Sequence, residues 1–216
     1  ESYQTLMSIL DSQLANRDKN PKVAWSDSVQ MMASNYSDRI IILDKSLLEK
    51  VSLDKALEVY KARFANPADF TYLFVGNVDP ADPAFQTMVC TWLGGLKANK
   101  KLEKAADDKV RVAMGIQKNY FTRQMETKTA SNRIQYTSYD MPYTLANDLN
   151  MEMIGRILST RYLESIRERE GGSYGVGCAG WMNRYPVPYA QLIMQFDTDP
   201  EKQEKLMNII HEEVMT

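Results

Sequence analysis

The stretch Ser165-Ile166-Arg167-Glu168-Arg169-Glu170-Gly171-Gly172-Ser173-Tyr174-Gly175-Val176-Gly177 decides how this chain folds. It reads as a helix end, a glycine turn and a strand start. Upstream, Thr144 to Asn147 has the form of a capping start. Leu145, Leu149, Met153 and Ile157, then Leu158, Tyr162 and Ile166, recur at helical spacing, which predicts one long helix reaching about Arg169. Gly171 can supply the left-handed residue that ends it. Downstream, 174–182 and 189–197 read as strands joined by a turn at Pro186 to Pro188. In the second, Ala190, Leu192, Met194 and Phe196 alternate with Gln191 and Gln195, the period of a half-buried strand.

The rest of the chain adds helices and strands in groups. Leu6, Ile9, Leu10 and Leu14 predict a helix over 3–16, a polar break follows from Asn16 to Pro21, and Ser26 reads as the cap of a short helix over 26–34. Ser52 reads as the cap of a helix over 53–65, with Leu53, Ala56, Leu57, Tyr60 and Phe64 as its apolar stripe. Phe70 to Val75 is aromatic and β-branched, the composition of a buried strand. Asp79-Pro80 or Asp82-Pro83 opens the next helix, each being a cap followed by a proline in the first turn, and Gly94-Gly95 stops it. Residues 97–109 read as a solvated charged loop, and 110–117, 121–127 and 130–139 as strands. Asp199-Pro200 opens a last helix. Strands grouped with long helices, without strict β-α-β alternation, predict an α+β fold with a largely antiparallel sheet and helices packed on it.

Composition narrows the function. The chain has 216 residues, 44% of them hydrophobic and 25% charged, which suits a folded globular unit able to bury a core without staples. A net charge of −2 gives no field that would draw nucleic acid. No apolar run of roughly 18 residues is present, so no membrane-spanning helix is expected, and no signal-peptide pattern is visible. Cys90 and Cys178 lie far apart and are expected to be buried, small apolar side chains rather than a disulfide framework. The chain opens at Glu1 without methionine and stops at Met215-Thr216 inside a helical pattern, so it is expected to be a piece of a longer protein.

Candidate chemistry is sparse. Gly175-Val176-Gly177-Cys178-Ala179-Gly180 matches G-x-G-x-x-G, but a dinucleotide site needs a strand before it and a helix after it. Here a helix precedes and no helix start follows; the glycines fit close approach of another backbone or an extended ligand to the strand. His211 is the single histidine, so a catalytic zinc site with two histidines on one helical face cannot be built, and a Ser-His-Asp or Cys-His apparatus has one possible base with no motif around it; it reads as a solvated or satisfied helix residue. Asp79 and Asp82 are helix-start residues first. Arg167 and Tyr174 are the distinctive pair. As capping, an arginine in a last helical turn is worth about 0.3–1 kcal/mol against the helix dipole. As chemistry, a guanidinium and a phenol converging from a helix end and a strand start would donate hydrogen bonds to a carbonyl oxygen on which charge builds.

In this element the sequence resembles the insulinase/pitrilysin family of inverted-zincin metallopeptidases, and within it the half without zinc. Three stretches carry the likeness. Val51-Ser52-Leu53-Asp54-Lys55-Ala56 through Tyr60, Arg63 and Phe64 is similar to the helix before the family's core strand. Tyr72-Leu73-Phe74-Val75-Gly76-Asn77-Val78-Asp79 with Trp92-Leu93-Gly94-Gly95-Leu96 is similar to that strand, its turn and the end of the next helix. Leu163 to Gly177 is similar to the arginine-to-tyrosine element. The resemblance implies an insulinase-type domain over 47–216, lacking the zinc motif, with 1–46 as its helical lead-in. It implies a clamshell whose other half carries H-x-x-E-H and zinc, while Arg167 and Tyr174 complete that site from across the chamber. No cofactor is implied in this chain itself. The implied partners are the zinc-bearing half, in the same polypeptide or another subunit, and a peptide substrate. Two other readings stay open: a non-catalytic partner subunit resembling the inactive subunits of mitochondrial processing peptidases, and an unrelated α+β binding module whose arginine only caps a helix. The compartment is not set by the sequence; a bacterial pitrilysin-like parent would place it in the periplasm.

Overall fold

The computed structural model describes residues 2–99, 102–171, 173 and 175–216. Two compact units divide the chain, Glu1–Arg17 with Ile41–Asp108, and Asp18–Ile40 with Lys109–Thr216.

In the first unit, α1 (Ser2–Ala15) is tied to the short α3 (Lys45–Leu48) by an ion pair of 2.9 Å between Asp11 and Lys45. The Tyr3 hydroxyl also donates to the carbonyl of Val51 at 3.1 Å. Asp44 caps α3, its Oδ1 accepting from the Leu47 N–H and the Ser46 hydroxyl, each at 2.8 Å. These bonds stabilise the charged carboxylate and hold its pKa below the ordinary value. Ser52 caps α4 (Leu53–Arg63) as the sequence predicts. Of the two openings offered for α5, the structure uses Asp82-Pro83: α5 covers Pro83–Val89 and continues as a π-helical coil over Cys90–Gly94.

The second unit carries the sheet. Here α2 spans Pro21–Ala33 and is capped by Asn20, whose side chain accepts from the Lys22 N–H. The expected cap at Ser26 is therefore wrong; the Asn-Pro pair at the end of the polar break supplies the cap and the first-turn proline together. Strands β1 (Ala130–Ser138), β2 (Val176–Asn183) and β3 (Tyr189–Thr198) form an antiparallel sheet in the order β1-β3-β2. The register sets Ile134 opposite Met194 on one side, and Met194 opposite Cys178 on the other. Ala190, Leu192, Met194 and Phe196 are all buried, so the alternation in β3 is as read. Against that face lie α6 (Leu145–Tyr162, extended by a π-helical coil Leu163–Arg169) and α7 (Gln203–Met215), closing a core of Ile134, Leu158, Tyr162, Ile166, Leu206 and Ile210 with the strands. Tyr162 is fully buried, and its hydroxyl donates to the Ile210 carbonyl of α7 at 3.2 Å.

The antiparallel sheet with helices on one face bears out the α+β class. Three strand expectations fail: among the described residues Phe70–Val75, 110–117 and 121–127 join no ladder. High β-propensity reports fit to a pleated, half-buried surface, and a run gains nothing from it without a paired neighbour. Leu73 and Val75 are 84% and 87% exposed. Gly115, at φ +76°, puts a left-handed residue into the middle of 110–117 and interrupts its extension. Cys90 is likewise exposed rather than buried, because α5 turns Phe85, Val89 and Leu93 inward and leaves Met88, Cys90 and Trp92 outside.

Candidate functional site around Arg167

The long helix does not end as a regular α-helix. Its last coil is π-helical, and it keeps Ser165 and Ile166 buried while Arg167 is exposed. The Ser165 hydroxyl donates to the Arg161 carbonyl at 3.0 Å, a local bond that suits a widened coil. The helix stops as the sequence predicts: Gly171 stands at φ +53° and its N–H reaches back to the Arg167 carbonyl at 3.1 Å.

The turn beyond is pinned from two sides. Lys202, in the 3-10 turn that precedes α7, directs its ammonium at the carbonyls of Gly171 (3.3 Å) and Glu170 (3.5 Å), placing a cation where the helix dipole is negative. Lys205 pairs with the Glu170 carboxylate at 2.5 Å. On the strand side, the Ser173 hydroxyl donates to the Asp197 carbonyl of β3 at 2.6 Å and accepts from the Gly175 N–H at 3.3 Å. Neither Lys202 nor Ser173 stood out in the sequence, because nothing local marks a lysine that caps a distant helix.

Arg167 therefore sits on an anchored helix end. Arg167 is exposed, and among the described residues its guanidinium has no ion-pair or hydrogen-bond partner. Tyr174, the other half of the expected pair, lies outside the described residues. Ser173 and Gly175 flank it in sequence.

The remaining candidates are absorbed by structure. Asp82 accepts from the Ala84 N–H at 2.9 Å as the cap of α5, and Asp79 accepts from the Ala81 N–H at 2.9 Å in the turn before it. Nδ1 of His211 lies 2.5 Å from the Tyr136 hydroxyl, so the single histidine is a satisfied helix residue. Gly180 packs its α carbon under α6, while Gly177 meets nothing within 4 Å of where a β carbon would stand. Burial pushes the Cys178 thiol up to about 11, which keeps it protonated and un-nucleophilic at neutral pH. Among the described residues no three His, Cys, Asp or Glu side chains gather closely enough to hold a metal ion, and no helix is long and apolar enough to cross a membrane. The arrangement offers hydrogen-bond donation and electrostatic stabilisation.

The comparison with protein families is decisive for membership. The model of the Peptidase M16 inactive domain matches residues 50–216. This chain belongs to that family. The chain is 23% identical over 209 residues to the probable zinc protease PqqL of Escherichia coli K12, covering 92% of this chain and 21% of that protein. It is 23% identical over 234 residues to a zinc protease PQQL-like protein of Arabidopsis thaliana, covering 100% of this chain and 24% of that one. The crystal structure of the periplasmic protease PqqL from Escherichia coli superposes with a TM-score of 0.82 at 19% identity, over 99% of this chain and 23% of that one, which establishes the shared fold. The chain thus spans less than a quarter of the length of these curated relatives.

Proposed function

We propose that this chain is the zinc-free half of a zinc metalloendopeptidase, and that it contributes substrate binding and transition-state stabilisation to peptide hydrolysis at a metal held by another domain. Membership in a family described as an inactive peptidase domain supports the non-catalytic part of this reading. The names of the relatives, both zinc proteases, support the nature of the parent. The observation that supports the specific role is the exposed guanidinium of Arg167, without a partner among the described residues, on an anchored helix end.

The division of labour is chemically coherent. A zinc ion held by the other half would supply polarisation of the scissile carbonyl and activation of water. Arg167 donates to the oxygen on which negative charge develops, or to a neighbouring peptide carbonyl, and Tyr174 adds a phenolic donor. Because donors and metal sit on different halves, closure of the two halves assembles the site and couples turnover to a conformational step. Residues 1–46 are taken as the helical lead-in of the domain that occupies 47–216, a boundary supported by the family match beginning at residue 50.

The test is made in the full-length parent. Arg167→Ala and Tyr174→Phe should each lower turnover of a quenched peptide by on the order of 10²–10³, the usual cost of one oxyanion donor. Unchanged turnover sinks the role of these side chains. A parent and partner subunits with no H-x-x-E-H anywhere would instead make the chain a scaffold of the same fold.

A further inference from the structure

The peptide units of Glu170 and Gly171 join Arg167 to the start of α7. The Arg167 carbonyl accepts from the N–H groups of both residues, that of Gly171 at 3.1 Å. The last carbonyls of a helix have no partner within it, and those of Gly171 and Glu170 are met instead by the ammonium of Lys202, at 3.3 and 3.5 Å. Lys202 is itself held. Its N–H donates to the Asp199 carbonyl at 3.0 Å, and the Asp199 side chain caps the 3-10 turn by accepting from the Glu201 N–H at 2.9 Å. Gln203, the next residue, donates from its side chain to Oδ1 of Asn132 at 2.7 Å. Asn132 is buried in β1, and its own amide donates to the carbonyls of Ala130 (3.0 Å) and Phe196 (3.4 Å). A buried polar network that finds its partners rigidifies the elements it joins, so the residue beside Lys202 is fixed to the sheet.

We propose that Lys202 is a positioning residue for Arg167. It acts through the two peptide units that it and the Arg167 carbonyl share, and holds them against a turn anchored on β1. Two observations favour this over a general part in stability. Lys202 is exposed, so replacing it opens no cavity and leaves the core as it is. The two lysines of the segment also divide their work. Lys205 pairs with the Glu170 carboxylate, a side chain that can follow it, whereas Lys202 grips backbone, and backbone carries its movement to Arg167. A misplacement of about 1 Å from a change away from the chemistry can cost on the order of 10²-fold in rate. The inference rests on Arg167 acting as the donor proposed above.

The test uses the purified full-length parent and a quenched peptide. Lys202→Met should lower kcat by on the order of tenfold to a hundredfold with KM held within about twofold, the mark of an interaction made only in the transition state. Lys202→Arg, which can still donate to both carbonyls, should recover most of that loss. On an Arg167→Ala background Lys202→Met should add less than about twofold, because the two residues act as one unit. Hydrogen exchange at the Gly171 N–H should rise in Lys202→Met while α7 stays protected. A kcat for Lys202→Met equal to that of the unsubstituted parent, beside an impaired Arg167→Ala, overturns this inference and leaves the zinc-peptidase reading standing. So does a loss that returns in full on the Arg167→Ala background, a Lys202→Arg as poor as Lys202→Met, or unmoved exchange at Gly171. Normal turnover by Arg167→Ala alone overturns the reading of Arg167 and this inference with it.

Discussion

Gly155 of α6 and Gly180 of β2 face each other with no side chain between them. A β carbon built on Gly155 would lie 2.5 Å from the Gly180 nitrogen, and one on Gly180 would strike the Met151 carbonyl. The helix therefore rides on the strand backbone to backbone. Gly155→Ala and Gly180→Ala should each destabilise the fold by about 1–3 kcal/mol, the usual cost of overpacking, because the obstructing atoms are backbone and cannot rotate away. Urea unfolding of each variant checks this. A midpoint equal to that of the parent sequence would mean the two elements can slide apart freely.

At Tyr162 two effects are separable. Its ring fills the core and its hydroxyl bonds the Ile210 carbonyl. Tyr162→Phe removes only the hydrogen bond and should cost about 1 kcal/mol. Tyr162→Ala empties the site and should cost about 3–5 kcal/mol. If the two variants cost the same, the hydroxyl rather than the packing holds α7 in place.

Alkaline pH should weaken the fold by a defined route. Burial raises the Cys178 thiol from its ordinary 9.0 to about 11, and burial also raises the Tyr162 phenol above its ordinary 10.0. A raised acid is neutral in the fold when it would already be ionised in the open chain. Its stabilising effect is complete below the unfolded value and is lost as pH climbs toward the folded one. The urea midpoint should stay flat to about pH 8.5 and fall between pH 9 and 11, and Cys178→Ala should flatten part of that fall. In alkylation at pH 8, exposed Cys90 should react well before Cys178.

Arg167 should matter little to folding. It is exposed and unpaired among the described residues, so Arg167→Ala should shift stability by no more than about 0.5 kcal/mol. Circular dichroism melts of the variant separate a lost donor from a lost fold when turnover is compared.

The helix and hairpin of the second unit were legible because their signals are local. Thr144, the 3.6-residue period through Ile166, Gly171 and the alternation in β3 all act within one or two turns of chain. The anchoring of the candidate site was not legible, because Lys202 and Ser173 bind carbonyls some 30 and 24 residues away in sequence, and no pattern announces a long-range partner. The runs at 70–75, 110–117 and 121–127 misled for the complementary reason. Their residue types favour a strand, but a ladder is a property of two chains of atoms and not of one. The Asn20-Pro21 cap has a local signal, but it lies inside a polar break, which hides a helix start.

The widened coil at Leu163–Arg169 works as a vernier on the end of a rigid rod. Its i to i+5 winding encloses one residue more in each hydrogen-bonded ring than the rest of the helix, so the bearing of Arg167 is set by residue count as well as by side-chain identity. Deleting Glu164 would let the coil rewind tightly, keep the same amino acids downstream, and swing the guanidinium to a new heading. A loss of turnover equal to that of Arg167→Ala, with the melt unchanged, would show that the direction of the cation is as necessary as its charge.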